Sequence, residues 1–383
     1  MEPLARVEAD AGSWDVEFDS TRLLQGPGRL AELGEELRRL GCGNVLLVTD
    51  PGLVAGGHVD RARASLAAAA VDCVVFDEVT QNPDSDLVQR VAGLAAGCDG
   101  IVGLGGGSPM DTARAVNFVL TGGGRIDDYW GNGKAAGPML PSIGVPTTAG
   151  TGSDAQSYAL ISESGTGRKM ACGDRRAKFR TVILDPELLA SAPREVVAVT
   201  GVDAVSHALE SYVCTRANPI SRMFAREAWR RLAAHLPAAL TPDRAARPPH
   251  HGPLLIGSHL AGAAIEQSML GAAHACANPL TARHGVTHGV AVGLMLPHVL
   301  AFNARVAGEA YAGLAATTGR GSLQEQLDEL LRVAALPRRI RDCVPQAVDL
   351  ELLAAEAATQ WTATFNPRPV TAHALQGLYE AAY

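Results

Sequence analysis

An acid and three histidines between Gly201 and His288 stand at spacings that suit a single divalent metal ion. Asp203 and His207 lie in Gly-Val-Asp-Ala-Val-Ser-His-Ala-Leu-Glu, where Val202, Val205, Ala208 and Leu209 recur at helical intervals. Four residues apart on a helix, the carboxylate and the imidazole share a face, one turn from each other. His274 and His288 follow in a stretch rich in alanine and glycine. One carboxylate with three imidazoles would neutralise part of a dication's charge and leave room for a substrate oxygen. The same spacing also serves ordinary surface hydrogen bonds between aspartate and histidine. The metal reading therefore needs support from elsewhere in the chain.

That support comes from Ile101-Val102-Gly103-Leu104-Gly105-Gly106-Gly107-Ser108-Pro109-Met110-Asp111-Thr112-Ala113. A strand-like apolar run enters three glycines, and a helical pattern follows Ser108. Glycines let the backbone approach a ligand, and a helix N-terminus offers unpaired amides to phosphate. Many α/β loops share this outline, and the usual dinucleotide fingerprint of three spaced glycines is absent. Upstream, Asn44 to Thr49 reads as a strand with Asp50 at its end. A carboxylate there would accept hydrogen bonds from a ribose hydroxyl and repel a 2′-phosphate. It would equally suit a turn before Pro51-Gly52.

These residues need elements to hold them. Helical Leu30 to Leu40, Gly57 to Ala70 and Asp84 to Gly97 precede strands at Asn44 to Thr49, Asp72 to Phe76 and Gly100 to Leu104 respectively. Such alternation calls for a parallel sheet covered on both faces. From about Pro193 onward long Ala/Leu-rich helical segments take over, so the chain divides into an α/β domain, residues 1–192, and an all-helical domain, residues 193–383. A length of 383 residues is itself too great for one ordinary core. Asp243 to Pro253, with Pro248, Pro249, His250, His251 and Pro253, reads as a solvated loop.

Composition narrows the function. A hydrophobic share of 47% is globular, and no uninterrupted apolar run approaches a membrane span. The net charge of −7, without a basic stripe interleaved with aromatics, argues against nucleic acid. Seven cysteines without paired spacing fit a reducing cytoplasm, and Met1 to Asp10 lacks a basic-then-apolar leader. Cys276, between His274 and Asn278, should face away from the ligands.

Taken together the segments resemble the iron-containing (group III) alcohol dehydrogenase family. The resemblance runs from Thr21-Arg22-Leu23-Leu24-Gln25-Gly26-Pro27-Gly28 through Val48-Thr49-Asp50, Gly105 to Asp111 and Val145-Pro146-Thr147-Thr148-Ala149-Gly150-Thr151-Gly152-Ser153. It continues through Ile183 to Leu188, Gly201 to His207, and His288-Gly289 to Leu296-Pro297-His298-Val299. It implies a Rossmann-like, dehydroquinate-synthase-like α/β domain followed by an all-α domain. Asp203, His207, His274 and His288 match the family's metal ligands. Gly106, Gly107, Ser108 and Asp111 match the turn that holds pyrophosphate and the nicotinamide-side ribose. Thr147, Thr148 and Thr151 match the segment lining the cofactor site, Lys169 a lysine near the ribose, and Asp50 the adenosine-ribose acid, which favours NAD over NADP.

The resemblance implies hydride transfer between NAD(H) and a primary alcohol or aldehyde, with the metal polarising the substrate oxygen. Fe2+ is the ion the family implies; the same ligands suit Zn2+. It further implies a homodimer. One departure matters: Asn278 stands where the family has a histidine that relays a proton, and an amide cannot exchange a proton near neutral pH. His284 is the nearest substitute by sequence. A second departure, Asp154 in place of glutamate, suggests no mechanism. Arg175, Arg176, Lys178 and Arg180 could greet an anionic aldehyde or form a solvated cationic patch. Rival readings on the same fold are a maleylacetate-reductase-like enzyme, which lacks the full metal set, and a dehydroquinate-synthase-like lyase. A non-catalytic binding protein is the remaining alternative, suggested by Asn278 alone.

Overall fold

The computed structural model describes residues 14–18 and 21–383, and the segment Met1 to Asp10, read from sequence for a leader, lies outside them. The chain divides into two compact units. One takes the chain as far as Thr148, then Ser153–Ala192 and Pro248–Leu255. The other takes Ala149–Gly152, Pro193–Arg247 and Ile256–Tyr383.

Among the described residues the first unit carries ten strands: β1 (Trp14–Phe18), β2 (Thr21–Gln25), β3 (Asn44–Val48), β4 (Asp72–Phe76), β5 (Gly100–Gly105), β6 (Gly131–Asn132), β7 (Ser142–Pro146), β8 (Tyr158–Ser162), β9 (Lys169–Gly173) and β10 (Thr181–Leu184). Seven of them form one sheet in the order β1-β2-β10-β7-β5-β3-β4. The β1–β2 pair is antiparallel and every other neighbouring pair is parallel. Side chains alternate across this sheet. Val45 and Leu47 join one apolar cluster with Val102, Leu104, Ile143 and Val145, whereas Leu46 and Val48 join another with Phe76 and Ile101. Burial on both faces explains why the strands read as near-continuous apolar runs.

Gly103 shows how tightly one face is covered. A Cβ there would stand 3.1 Å from Met110 Cα and 3.2 Å from Ala113 Cβ, so the Gly107–Gly122 helix lies directly on the strand. β6, β8 and β9 make a second sheet in the order β6-β9-β8. The alternation read from sequence missed these short strands, along with β7 and β10. They interrupt loops and turns instead of alternating with helices, so periodicity alone gives no cue.

The sheet order sets the positions of the residues that follow its strands. Asp50 follows β3, Gly106 follows β5 and Thr147 follows β7, and these three strands are neighbours. β4 lies on one side of β3 and β5 on the other, so the direction of winding reverses between β3 and β5. Ligands of open α/β sheets bind outside the carboxyl ends of the strands at such a reversal.

The second unit is helical. Its long members are Arg194–Val213, Pro219–Ala239, Ala272–His284 and His288–Ala316. By length and composition the last of these is long and apolar enough to cross a membrane, yet 61% of its most apolar window is buried inside the protein. Val292, Leu296 and Val299 are among the residues it contributes to the core. That qualifies the sequence reading, in which no run came close to a span.

The expected loop over Asp243 to Pro253 is a larger correction. Arg244–Ala246 is a short 3-10 turn and Pro248–Glu266 is a helix. Pro248 and Pro249 open that helix, where a missing amide hydrogen costs no intrahelical bond. His251 is only 4% exposed, so it is a buried residue and not a solvated one.

Candidate metal centre and cofactor loop

The Arg194–Val213 helix carries Asp203 and His207 on one face, as the spacing requires. Two glycines bring other helices against it. A Cβ on Gly201 would stand 2.4 Å from Leu236 Cδ1, and one on Gly289 would stand 2.4 Å from the Val199 carbonyl oxygen. The second contact fixes the start of the His288–Ala316 helix, and therefore His288, beside the first.

The candidate ligand atoms converge. Asp203 Oδ1 lies 3.4 Å from His207 Nε2 and 3.6 Å from His274 Nε2. The His207 and His274 rings stack with centroids 4.9 Å apart, and the His288 ring is 5.4 Å from that of His274. Asp203, His207 and His274 are all buried and offer one ligand atom each within 4.8 Å of one another. His288 is half-buried at the edge of this group. Asp203 Oδ1 and His274 Nε2 are buried without a hydrogen-bond partner. Buried polar atoms left unpaired are costly, and these two face the same small space. A divalent cation would satisfy both, so the residues present fit a metal.

The charges support the same conclusion. Burial opposes ionisation of Asp203, but the imidazoles of His207, His288 and His274 hold its carboxyl well below the usual range. Burial, with the neighbouring His274 and His288, lowers His207 to about 4 despite Asp203. Burial also opposes a charge on His274, yet Asp203 and Glu210 carry its pKa up to about 9.

Sequence reading missed Glu210. It lies one further turn along the Asp203–His207 face, with its Oε2 2.6 Å from His274 Nδ1, and only 4% of it is exposed. The signal was available as an acid seven residues after Asp203 on the same apolar helix. Cys276 is buried, its thiol is pushed up by burial, and it lies outside the ligand group.

Asn278, one turn beyond His274, donates from Nδ2 to Gln360 Oε1 at 3.0 Å. His284 closes the same helix and is half-buried. Ten residues of helix place it ~15 Å along the axis from His274, beyond direct proton exchange there.

In the α/β unit, β5 enters the Gly107–Gly122 helix through Gly105 and Gly106. Gly105 has φ of +152°, and a Cβ there would meet Pro109 Cγ at 2.6 Å. Gly106 is the N-cap and supplies no side-chain cap, so the first-turn amides stay open to an anion. Gly106, Gly107 and Ser108 are half-buried. Thr147 N donates to the Gly105 carbonyl at 3.0 Å, and a Cβ on Gly106 would lie 3.3 Å from Thr148 Oγ1. Asp50 caps the Pro51–Ala55 helix through Leu53 N at 3.2 Å, and accepting that bond leaves its other oxygen for a ligand.

Asp111 is more enclosed than a ribose acceptor needs. Its Oδ1 accepts from Ser153 Oγ at 2.6 Å and from Arg114 Nη1 at 3.2 Å. Burial raises its pKa against the pull of Arg114 and Ser153. Lys169 is exposed at the start of β9, and the protein around its ammonium lowers its pKa against the attraction of Asp111. Thr151 is half-buried within Ala149–Gly152 of the other unit.

The basic cluster is partly committed. Arg176 holds Asp174 through Nε at 2.9 Å and Nη2 at 2.8 Å, and it donates to the Ala135 carbonyl at 2.7 Å. A guanidinium so engaged has little left for an anionic substrate.

Comparison with known proteins is consistent along the whole chain. Residues 20–186 match the family described as iron-containing alcohol dehydrogenase, and residues 197–383 match its C-terminal counterpart. The chain is 30% identical over 361 residues to the NAD-dependent methanol dehydrogenase of Bacillus methanolicus, covering 90% of this chain and 94% of that protein. The structure is similar to that of a 1,3-propanediol oxidoreductase, with a TM-score of 0.90 and 29% identity over 98% of this chain and 99% of the other. It is also similar to a sulfoacetaldehyde reductase from Bifidobacterium kashiwanohense in complex with NAD+, with a TM-score of 0.85 and 26% identity over 97% and 99% of the two chains.

Proposed function

This chain belongs to the iron-containing alcohol dehydrogenase family, and from that premise we propose that it interconverts a primary alcohol and its aldehyde with NAD(H). Asp203, His207, His274 and His288 would hold the metal, Fe2+ first and Zn2+ as the alternative. Asp50, Gly106, Gly107, Ser108, Asp111, Thr147, Thr148, Thr151 and Lys169 would serve the cofactor. The reading assigns cofactor binding to residues 1–192 and metal binding to residues 193–383. The carrying observation is the pair of buried, unpartnered atoms, Asp203 Oδ1 and His274 Nε2, 3.6 Å apart.

When bound, the metal supplies Lewis acidity at the substrate oxygen and the nicotinamide supplies or accepts the hydride. The protein's own part is to place and screen. Asp203 brings a full negative charge that offsets a dication, and His207, kept neutral by burial, brings a lone pair. The open amides after Gly106 suit a pyrophosphate, and the Asp50 carboxylate selects against a phosphorylated ribose. Asn278 donates to Gln360 and neither gains nor loses a proton near neutral pH, so a proton relay would run through water and the cofactor's ribose or through another group.

The intact acid and three histidines speak against a maleylacetate-reductase-like enzyme. Family membership on both halves of the chain speaks against a lyase. The engagement of Arg176 by Asp174 favours an uncharged aldehyde over an anionic one. The same reading places the enzyme in the cytoplasm as a homodimer, in keeping with seven cysteines that are all free thiols.

The deciding experiment is a panel of aldehydes followed at the NADH absorbance band, with Fe2+ or Zn2+ restored anaerobically. Metal-dependent NADH oxidation with uncharged short aldehydes is expected. Turnover that persists in His274→Ala, or no change in NADH with any aldehyde, would refute the proposal.

A further inference from the structure

Building on the metal reading above, we propose that Glu210 is the positioning residue that commits His274 to bind metal through Nε2. Its carboxylate meets two demands at one point. Oε2 lies 2.6 Å from His274 Nδ1, while Oε1 accepts from Ala273 N at 2.7 Å. The Ala272–His284 helix begins at Gly271, which has no side chain to cap it. Glu210 and Asn366 take over that task, since Asn366 Oδ1 accepts from Ala272 N at 3.2 Å. A buried charge is thus satisfied by helix-terminal amides and by the imidazole together.

The consequence for the ring is directional. An ionised carboxylate only accepts, so the Nδ1 facing it must carry hydrogen. In the neutral ring that binds metal, Nε2 is then the nitrogen with the lone pair, and it faces Asp203 Oδ1. Asp203, His207 and Glu210 follow one another at four and three residues, so a single helix face delivers two ligands and the group that orients a third. Gly271 leaves the space. A Cβ there would stand 2.9 Å from Glu210 Oε1 and 3.0 Å from Asn366 Oδ1.

The test separates orientation from helix capping. Glu210→Gln keeps the shape, but its amide can present a donor as well as an acceptor, so Nδ1 is no longer forced to carry hydrogen. Zn2+ affinity of the full chain, measured by competition with a chelator, should fall by about 10- to 100-fold. Asn366→Ala removes the cap on Ala272 N together with the amide pair to Asn303 and a bond to the Arg368 carbonyl, none of which orients the His274 ring; it should lower the melting temperature of the metal-free protein while changing Zn2+ affinity by less than about threefold. Glu210→Gln affinity within about threefold of wild type, or an equal loss in both variants, overturns the proposal. If the Gln variant fails to fold, histidine nitrogen NMR of the zinc-loaded wild type decides: hydrogen on Nδ1 and metal on Nε2 of His274 supports it, and the reverse overturns it. Failure of the wild type to bind Zn2+ or Fe2+ at all would instead sink the underlying metal assignment.

Discussion

Metal binding at this centre must displace the proton of His274, and the pH dependence of affinity should reveal it. In the metal-free protein His274 holds a proton up to about pH 9, because Asp203 and Glu210 outweigh the cost of burying the charge. His207 is already neutral above about 4, and Asp203 is ionised throughout. Among Asp203, His207 and His274, a single proton therefore separates the free site from the loaded one between about pH 5 and 9. Affinity should rise about tenfold for each pH unit while pH stays below about 8, a difference of about 1000-fold or 4 kcal/mol between pH 5 and pH 8, and level off above about 9. Calorimetric Zn2+ titration in buffers of different ionisation enthalpy measures the released proton directly, and competition with a chelator gives the slope. Release of no proton at pH 7 would mean that His274 is neutral without metal. Release of two would mean that a second imidazole, His207 or His288, is charged as well. Either result refutes the electrostatic account of the site. The same imidazolium stabilises the metal-free fold: its pKa is raised above the unfolded value near 6.5, so the contribution is full below that and fades as pH rises through about 9.

Three further outcomes are expected. Arg114→Met removes a buried guanidinium that holds Asp111 Oδ1, Ser153 O at 2.7 Å and Tyr158 O at 2.7 Å, leaving the buried Asp111 carboxylate with its Ser153 hydrogen bond but without its cation. Stability should fall by about 3–5 kcal/mol in denaturant unfolding. Asp50→Asn keeps an acceptor for Leu53 N but removes the charge, so the NADP(H)-to-NAD(H) ratio of kcat/KM should rise by about tenfold or more; an unchanged ratio would place the ribose elsewhere. Asn278→His introduces a titratable ring one turn from His274, and the pH profile of kcat should acquire a bend near about 6–7 that wild type lacks.

Much of this molecule could be read from the chain alone. The Asp203–His207 pair, the Gly105–Ser108 turn and the strand ending at Asp50 are local, because helical and strand periods fix which neighbours share a face. The seven-cysteine count and the charge balance likewise need no coordinates. What the sequence could not supply is whatever depends on contacts between distant segments. Glu210 reads as an ordinary polar residue on an apolar helix until His274, from another helix, is seen against it. His251 reads as solvated until Pro248–Glu266 is seen as a buried helix. Asp50, Gly106 and Thr147 come together only because β3, β5 and β7 are neighbours, an order no periodicity encodes. Local propensity decides which element forms, but pairing and burial between remote residues decide what that element faces, and the chemistry of the site belongs to the second decision.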